Sequence, residues 1–550
     1  MNRNLLKRGL SLLLVLTMIF VLTACGNKTQ KDEPKANDTQ QEGTSAKASK
    51  TDFKFILHNE PEILDPVIAA DSACVPIFTN VFEGLTTLDG KDQVVPGVAE
   101  SWDISDDGLV YTFHIRDNAK WSDGKPVVAD NFIYTWEKVM NSKTAADYAW
   151  VMLPYIKNAQ NYFDGKVGFE EVGVKAINDK TLEVTLENPT AYFLELCSFY
   201  TYAPLRKDVV DSNPEWSKNA DTYVSNGPFK ISDIKFGQYI KLERDENYWN
   251  KGAVKLTSIQ FDFVPDVNTA LSAFEAGSAD GMSSVPSAEI PRLKLESDAF
   301  NAMPKIQTIF INLNTKLKPL DDVRVRKALN LAIDKKALID QALKGSQLPA
   351  NGLVPPGINF ADVDFREEAG NDIGNMEDNI KEAKKLMAEA GYPDGAGFPK
   401  FVIQDDDASI PEIVSKMWED NLGIKTEIKV VEFKVLISEM KKMNIDIAVG
   451  GWTGDYQHPT TFLDMYTPNS GTNYTNWNNE EYNKILKDAI KELDNKKSLK
   501  MYLEAEKLLL SEQPIIPLYY GTYNNMVNPK LKGWHQSPLG YLSFKEAYFE

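Results

Sequence analysis

The side chains that could carry out covalent or metal chemistry are few in this sequence and do not form a recognisable site. The chain of 550 residues has four histidines, which are His58, His114, His458 and His535. Acid–base pairs and metal centres need such side chains together or at short fixed spacings, and these four are scattered. The sequence has no G-x-x-x-x-G-K-S/T, G-x-S-x-G, H-E-x-x-H or C-x-x-C pattern. We therefore expect no catalytic residue, no metal and no cofactor, and a binding function in place of an enzymatic one.

The acidic run Asp405-Asp406-Asp407 lacks the glycine and the terminal glutamate of a calcium-binding loop. We interpret the run as a solvated loop whose charges are screened by salt. The alternative is that it faces a binding cleft, where it would repel a carboxylate and favour a Lys or Arg side chain.

The N-terminus has the pattern of a lipoprotein signal. Three basic residues precede an almost wholly apolar stretch at 10–22, which is too short for a confident membrane span and is typical of a signal peptide. The stretch ends in LTACG (22–26), which resembles the bacterial lipobox, whose cysteine is lipidated and becomes the first residue of the mature protein. The alternative is an ordinary secretory signal with an incidental cysteine. We predict a lipoprotein signal peptide over 1–24 and lipidation of Cys25.

The next segment predicts a flexible tether. Between Gly26 and Lys50 the only apolar side chains are three alanines. Such a segment cannot bury enough surface to offset its ordering entropy. We predict a lipid-anchored, disordered tether over 25–50, which would hold the protein at the outer face of the cell membrane as in a Gram-positive-type lipoprotein.

Composition excludes several classes of protein. Acidic residues outnumber basic ones by 79 to 60, and the net charge of −19 argues against a nucleic-acid partner. Three cysteines exclude a disulfide-built scaffold. Ordinary contents of glycine and proline argue against collagen and against a disordered bulk.

The residues from 51 onward must be positioned by a mixture of strands and helices. Strands are indicated by alternating apolar residues, and helices by apolar residues three and four apart. The strand patterns lie at 53–57, 109–115 and 182–186, and the helical patterns at 323–343, 382–390 and 480–511. Strands and helices are interspersed throughout, so the predicted fold class is α/β with several sheets.

Longer strings point to a family. The segment 98–124 reads VAESWDISDDGLVYTFHIRDNAKWSDG, and it resembles the signature segment of the family 5 extracellular solute-binding proteins, which serve peptide and nickel ABC importers. Other strings agree in order, among them LDP (64–66), FEGL (82–85), SNGPF (225–229), DVRVRKA (322–328) and AEAGY (388–392). The oligopeptide-binding branch is favoured by GWTGDY (451–456) and PTTFL (459–463). The resemblance covers residues 51–550.

The resemblance implies a periplasmic-binding-protein-like fold, with two lobes around a hinge and one extra domain. The implied boundaries are 51–83 with 206–280 and 520–550 for discontinuous lobe I, 84–205 for extra domain II and 281–519 for lobe III. The lobes would close over the ligand.

The resemblance also implies site residues. In this family an extended peptide lies between the lobes and pairs its backbone with protein backbone. The matching backbone positions are Asp71, Ser72 and Ala73 on one side and Gly451, Trp452 and Thr453 on the other. Asp455 matches the aspartate that pairs with the peptide α-ammonium, and the alternative is an ordinary turn aspartate. Tyr148 and Trp418 match aromatic residues that line the pocket, and the alternative is that each belongs to the core.

Departures from the family pattern concern the other end of the peptide. Val449 replaces an arginine, no histidine lies near Ile410, and the lysine of the family falls near Lys316 or Lys318. We therefore expect the peptide carboxylate to be weakly held. Cys74 and Cys197 are either one disulfide pair or two buried free thiols.

We therefore predict a monomeric, lipid-anchored receptor that captures oligopeptides outside the cell and delivers them to the subunits of an ABC permease. Alternative ligands are dipeptides, murein peptides and signalling peptides. An extracellular hydrolase is the alternative from another class of protein, and it lacks a nucleophile or metal motif.

Overall fold

The computed structural model describes residues 50–69, 71–468 and 470–550. The predicted signal peptide, Cys25 and the tether as far as residue 49 lie outside these residues. The described strands are β1 (Asp52–Leu57), β2 (Thr86–Leu88), β3 (Val94–Pro96), β4 (Ala99–Ile104), β5 (Val110–Ile115), β6 (Val174–Asn178), β7 (Thr181–Thr185), β8 (Phe229–Lys235), β9 (Tyr239–Arg244), β10 (Ser258–Phe263), β11 (Gly281–Met282), β12 (Phe300–Leu313), β13 (Leu348–Pro349), β14 (Asn359–Phe360), β15 (Val363–Asp364), β16 (Phe401–Asp405), β17 (Thr426–Val430), β18 (Ile447–Thr453), β19 (Ile515–Val527), β20 (Leu531–Lys532), β21 (His535–Gln536), β22 (Leu542–Ser543) and β23 (Tyr548–Phe549).

Helices are interspersed with these strands, as the sequence predicts. The described α-helices are α1 (Val75–Val81), α2 (Ala129–Met140), α3 (Ala159–Phe163), α4 (Phe193–Leu196), α5 (Lys207–Val210), α6 (Val267–Glu275), α7 (Ile290–Glu296), α8 (Val323–Leu331), α9 (Lys335–Ala342), α10 (Phe365–Ala369), α11 (Met376–Glu389), α12 (Ser409–Leu422), α13 (Phe433–Lys441), α14 (Thr460–Leu463), α15 (Glu480–Ala489) and α16 (Asn495–Glu512).

Two of the predicted helical regions are each divided in the structure. The region 323–343 forms α8 and α9, because Asp334 accepts a hydrogen bond from the Ala337 amide and begins a new helix. The region 480–511 forms α15 and α16, and Asp494 caps the second of them in the same way. An aspartate inside a helical pattern is thus a start signal here.

The largest sheet runs in the order β17, β16, β18, β12, β19, β11, β1, β10, β9 and β8, with β13 added to β19. A separate antiparallel sheet has the order β4, β5, β7 and β6, and it lies wholly within the predicted extra domain 84–205. In β5 the alternation is as predicted, because Tyr111, Phe113 and Ile115 are buried and the residues between them are partly exposed.

β12 and β19 are the longest strands of the large sheet and join its two halves. Residues 300–304 pair with 522–526 beside β11, whereas 308–312 pair with 515–520 beside β18. The pairing is interrupted between Pro304 and Thr308. At this interruption a Cβ on Gly521 would lie 2.6 Å from Gln307 Oε1, so glycine gives the Gln307 side chain its space.

The hydrophobic core is divided at the same place. One cluster joins β1 and β10 to the four-stranded sheet and to the last residues of the chain. Two other large clusters are built from residues 306–518. The extra sheet therefore packs with the first half of the large sheet.

The predicted start of the second lobe, residue 281, is the first residue of β11. This strand pairs with both β1 and β19. Ile290 and Leu293 of α7 pack with Ile56 of β1 in one buried cluster. Residues 281–304 thus belong with the first half of the sheet, and the chain enters the second half through β12.

Candidate functional site

A cavity of about 710 Å³ lies beside the interrupted part of β12 and is lined by segments from the whole length of the described chain. Most of the residues predicted for the site line it, namely Asp71, Ser72, Ala73, Tyr148, Thr453 and Asp455. We call it the first cavity. The fold therefore brings together residues that are nearly 400 positions apart in sequence.

Asp455 is held at the end of β18 by its backbone. The Gly454 amide donates to the Ile306 carbonyl at 2.8 Å, and the Asp455 amide donates to the Thr461 hydroxyl at 3.0 Å. A Cβ on Gly454 would lie 2.4 Å from Ile306 Cγ2 and 3.0 Å from Phe462 Cε2. Glycine at this position lets the chain pass close to β12, and the carboxylate that follows it reaches the cavity wall.

The Asp455 carboxylate has no compensating charge within the described part of the chain, since no hydrogen bond or ion pair of its side chain is formed there. Burial raises the pKa of Asp455 to about 6, because it removes water from the charged form. Burial and then the charge of Asp455 raise the pKa of Tyr148. A half-buried carboxylate without an ion pair is a site at which a cationic ligand would gain.

Tyr148 belongs to an aromatic wall of the first cavity. Its ring centroid lies 5.3 Å from that of Phe199 and 6.0 Å from that of Tyr200. All three side chains line the cavity. Aromatic faces attract cations, so this wall adds to the preference that the Asp455 carboxylate creates.

The Asp71 side chain shapes its own loop. Its Oδ1 accepts hydrogen bonds from the amides of Ala73 and Cys74 at 2.9 and 3.1 Å, and its Oδ2 accepts one from the Glu62 amide at 3.3 Å. Within the described residues, the Ser72 amide and the Ala73 carbonyl have no hydrogen-bond partner. Both residues line the first cavity.

β18 has an open edge next to the first cavity. β16 pairs with β18 only through Ile403 with Ile447 and Gln404 with Ala448. From residue 449 to 453, β18 pairs with β12 on one side, and on the other no strand of the described chain lies beside it. Such an edge presents backbone donors and acceptors to any extended chain placed along it.

Gly451 and Trp452 lie on this open edge but line a different space. They line another cavity, of about 610 Å³, which we call the second cavity. The acidic run 405–407 lines it too. The interpretation of the run as a solvated loop agrees with Asp406 and Asp407, which are exposed, and is wrong for Asp405, which is 5% exposed because it ends the buried strand β16.

Trp418 does not reach either cavity, which corrects its prediction as a pocket residue. It is fully buried in the cluster formed by β12, β16, β18 and the helices around them. Its indole N–H donates to the Leu329 carbonyl at 2.9 Å. The alternative interpretation, a core aromatic residue on the inner face of α12, is the correct one.

Lys305 is a residue of the first cavity that the sequence analysis missed. It lies in the interrupted part of β12, and its ammonium is 5.7 Å from the centroid of the Tyr523 ring. Burial lowers the pKa of Lys305. The sequence did contain a signal for this lysine. It directly follows a proline inside a strand with alternating apolar residues, and proline marks a break in strand pairing. Lys316 and Lys318 line neither cavity.

Other chemistry is limited in the described residues. Cys74 and Cys197 are buried free thiols, as one of the two alternatives predicted. No group of three or more metal-ligating side chains is found in the described ranges. In the same ranges, none of the helices combines the length and the apolar character needed to cross a membrane.

Known proteins are similar to this chain in sequence and in fold. The family model "Bacterial extracellular solute-binding proteins, family 5 Middle" matches residues 93–474. The oligopeptide-binding protein OppA of Bacillus subtilis is 35% identical over 99% of this chain and 100% of its own length. The Escherichia coli murein tripeptide-binding protein MppA is 30% identical over 91% of this chain and 99% of its own, with a TM-score of 0.70. The unliganded open form of MppA, also 30% identical, covers 91% and 98% with a TM-score of 0.82.

Proposed function

Because this chain belongs to the bacterial extracellular solute-binding proteins of family 5, it is a binding protein and not an enzyme, and we propose that it captures oligopeptides for an ABC permease. The observation that carries the choice of ligand is the Asp455 carboxylate. It is unpaired within the described chain, it lies in an aromatic cavity, and it follows directly after a strand with an open edge.

The N-terminal ammonium of a peptide suits Asp455. The charge-assisted hydrogen bond between an ammonium and a carboxylate is stronger than a neutral one, and its strength increases where water is excluded. Tyr148 supports the same ammonium through its ring. A nickel chelate or a sugar has no free ammonium, so neither of these ligands uses this arrangement.

The main chain of the peptide is then held by hydrogen bonds to the main chain of the protein. The open edge at 449–453 offers a β-strand partner, and the free Ser72 amide and Ala73 carbonyl belong to residues that line the first cavity. Main-chain pairing supplies affinity whatever the side chains are, which suits a receptor for peptides of many sequences. Tyr148, Thr453 and Asp455 complete the site on the first cavity, and Gly451 and Trp452 extend it to the second.

Lys305 supplies the cation for the other end of a short ligand. It lines the same cavity as Asp455 and has no ion pair within the described residues. A dipeptide or tripeptide could place its carboxylate near this ammonium. Longer peptides would extend past it along β18.

Lobe closure is the mechanism that we propose. Lobe I and domain II share one core, which also contains Tyr456 of lobe III, and two further large clusters lie within lobe III. β12 and β19 run between the two halves of the large sheet. The higher TM-score with an unliganded open form supports an open arrangement of the chain. Closure would bring the wall at 71–73 toward the open edge of β18 and enclose the peptide.

Anchoring and delivery complete the proposal. The lipobox at Cys25 and the polar tether at 25–50 support a monomer attached to the outer face of the cell membrane. From there it would present its ligand to the permease subunits in the same membrane.

Calorimetry with one peptide in two forms tests the proposal. A free-amine tetrapeptide should bind stoichiometrically, and its N-acetylated form should bind at least about 30-fold more weakly, since removing one partner of a desolvated charge pair costs about 2–5 kcal/mol. Recovery of the peptide intact after incubation would exclude hydrolysis. Equal affinity for the two forms would overturn the role of Asp455, and a murein peptide titrated alongside would show whether that ligand is preferred.

A further inference from the structure

The second cavity lies where a strand added to β18 would run. β16 ends at Asp405, and the chain then turns through 406–408 into α12. This turn leaves the edge of β18 open from Val449 onward, and the second cavity occupies the space beside it. A ligand that continues along β18 from the first cavity therefore passes over the second.

The charge of this cavity is entirely negative within the described chain. Asp405, Asp406 and Asp407 line it, and no lysine, arginine or histidine of the described residues does. None of the three carboxylates takes part in an ion pair there. Asp405 Oδ1 accepts only the Asp406 amide at 2.8 Å, and Asp407 Oδ1 accepts the Ser409 amide at 2.8 Å.

A buried acceptor faces the same cavity. Asn312 is 1% exposed and lines the cavity, and its Oδ1 has no hydrogen-bond partner among the described residues. Its amide nitrogen donates to the Ala448 carbonyl at 3.5 Å. A buried acceptor without a donor is costly, and a ligand donor that reaches this oxygen would remove that cost.

The remaining walls are apolar. They include Leu343, Leu436, Met440 and Tyr519, with Phe433 exposed at the rim. Lysine and arginine have a hydrocarbon stem and a charged end with several donors. The apolar walls suit the hydrocarbon stem, and the three carboxylates with the one unpaired acceptor suit the charged end.

We propose that the second cavity binds the side chain of a lysine or arginine in the peptide and makes this receptor selective for basic peptides. The inference rests on the proposed function, since it assumes a peptide whose N-terminus lies at Asp455. Burial raises the pKa of Asp405 to about 7, so the empty cavity holds that charge at a cost which a bound cation relieves.

The position of the basic residue follows from strand geometry. Trp452 and Gly451 are three and four residues before Asp455 along the chain. At about 3.3 Å per residue, this is roughly 10–13 Å, the span of three to four residues of an extended peptide. The basic side chain should therefore belong to the third or fourth residue. Since successive side chains point to opposite faces, only one of these two positions should show the preference.

A positional scan by calorimetry tests this inference. The ligands are five-residue alanine peptides with lysine, norleucine or glutamate at each of positions two to five. We expect lysine at position three or four to bind at least tenfold more tightly than norleucine at the same position, and glutamate to bind most weakly. Asp405→Asn should remove most of the preference for lysine over norleucine.

The design separates this inference from the proposed function. If all the peptides bind and lose affinity on N-acetylation, yet lysine and norleucine are equivalent at every position, the second cavity has no such role and the proposed function stands. If none of the peptides binds, both are wrong. Because the ligand comparison needs only wild-type protein, it remains valid if Asp405→Asn fails to fold. The double variant Asp406→Asn/Asp407→Asn, in exposed positions, should then reduce the preference severalfold.

Discussion

Lys305 and Asp455 carry opposite charges in one cavity and do not pair with each other. The register of β12 and β18 ends with Gln307 opposite Thr453, and beyond it the Gly454 amide donates to the Ile306 carbonyl. Lys305 and Asp455 are each one residue beyond this hydrogen bond along their own segments. Both side chains line the first cavity, and within the described chain they form no ion pair. Two opposite charges that stay apart in a cavity suit a ligand that itself has two charged ends.

Asp455→Asn should reduce the affinity for a free-amine peptide by about 30-fold or more, because it removes the charge that the peptide ammonium needs. N-acetylation of the peptide should cause little further loss in this variant. Asp464→Asn is the matched control, since Asp464 is a partly buried aspartate that lines neither cavity. Additive losses from the variant and from acetylation, measured by calorimetry, would show that the ammonium binds elsewhere.

Peptide affinity should fall as the pH decreases below about 6. Burial raises the pKa of Asp455 to about 6, and the protonated carboxyl has no charge to offer the ammonium. A bound ammonium lowers this pKa, so affinity should fall by up to about tenfold per pH unit between the two values. Above about pH 8 it should fall again, since the peptide amine loses its proton.

An alanine peptide is the ligand to use for this pH series, because it avoids the second cavity and Asp405. Asp455→Asn should lose the acidic limb of the profile and keep the alkaline limb. An acidic limb that persists in the variant would assign the titration to another group.

Lys305→Met should weaken the binding of a free-acid tripeptide by about tenfold, or ~1.4 kcal/mol, because it removes an ammonium from the first cavity and keeps the length of the side chain. The amidated tripeptide should bind equally to the variant and to the wild type. Lys316→Met is the control, since Lys316 is exposed and lines neither cavity. If amidation has the same effect in both proteins, the carboxylate does not depend on Lys305.

Gly454→Ala should destabilise the protein by about 1–3 kcal/mol and weaken peptide binding, since the new methyl group meets Ile306 and displaces the Asp455 backbone. Gly252→Ala is the control, because a Cβ there meets no atom within 4 Å. Thermal unfolding and calorimetry give the two quantities. Unchanged stability and affinity in Gly454→Ala would mean that the close passage of β18 past β12 does not position Asp455.

Cys25→Ser should abolish incorporation of a fatty-acid analogue and release the protein from the membrane, since the thiol is the predicted attachment point for the lipid. The Cys74→Ser variant is the control, because Cys74 is buried in the folded part. Labelling that persists in Cys25→Ser would contradict the lipobox interpretation.

Local patterns predicted the elements of this fold better than their grouping. The alternation in β5 was predicted because it depends on near neighbours, whereas the divisions of two helical regions at Asp334 and Asp494 were missed. The division of the core at β12 depends on pairing between residues more than 200 positions apart, which no local pattern contains.

The site shows the same limit. Asp455 was found because the strings around it resemble a family, and the fold places it in the cavity. Trp418 was misplaced because the sequence does not show which face of α12 turns inward. The burial of Asp405 was missed because it depends on where β16 ends relative to β18, a relationship set by tertiary pairing.

The interruption in β12 lies at the rotation axis if the lobes close as proposed. Lys305 is at this interruption and Asp455 is near it in the first cavity, so the rotation displaces these two residues little. The second cavity lies several residues farther from this rotation axis, so the same rotation displaces it more. A short peptide bound near the axis would therefore be affected by only part of the movement, whereas the far end of a longer peptide would be enclosed only when the lobes are fully closed.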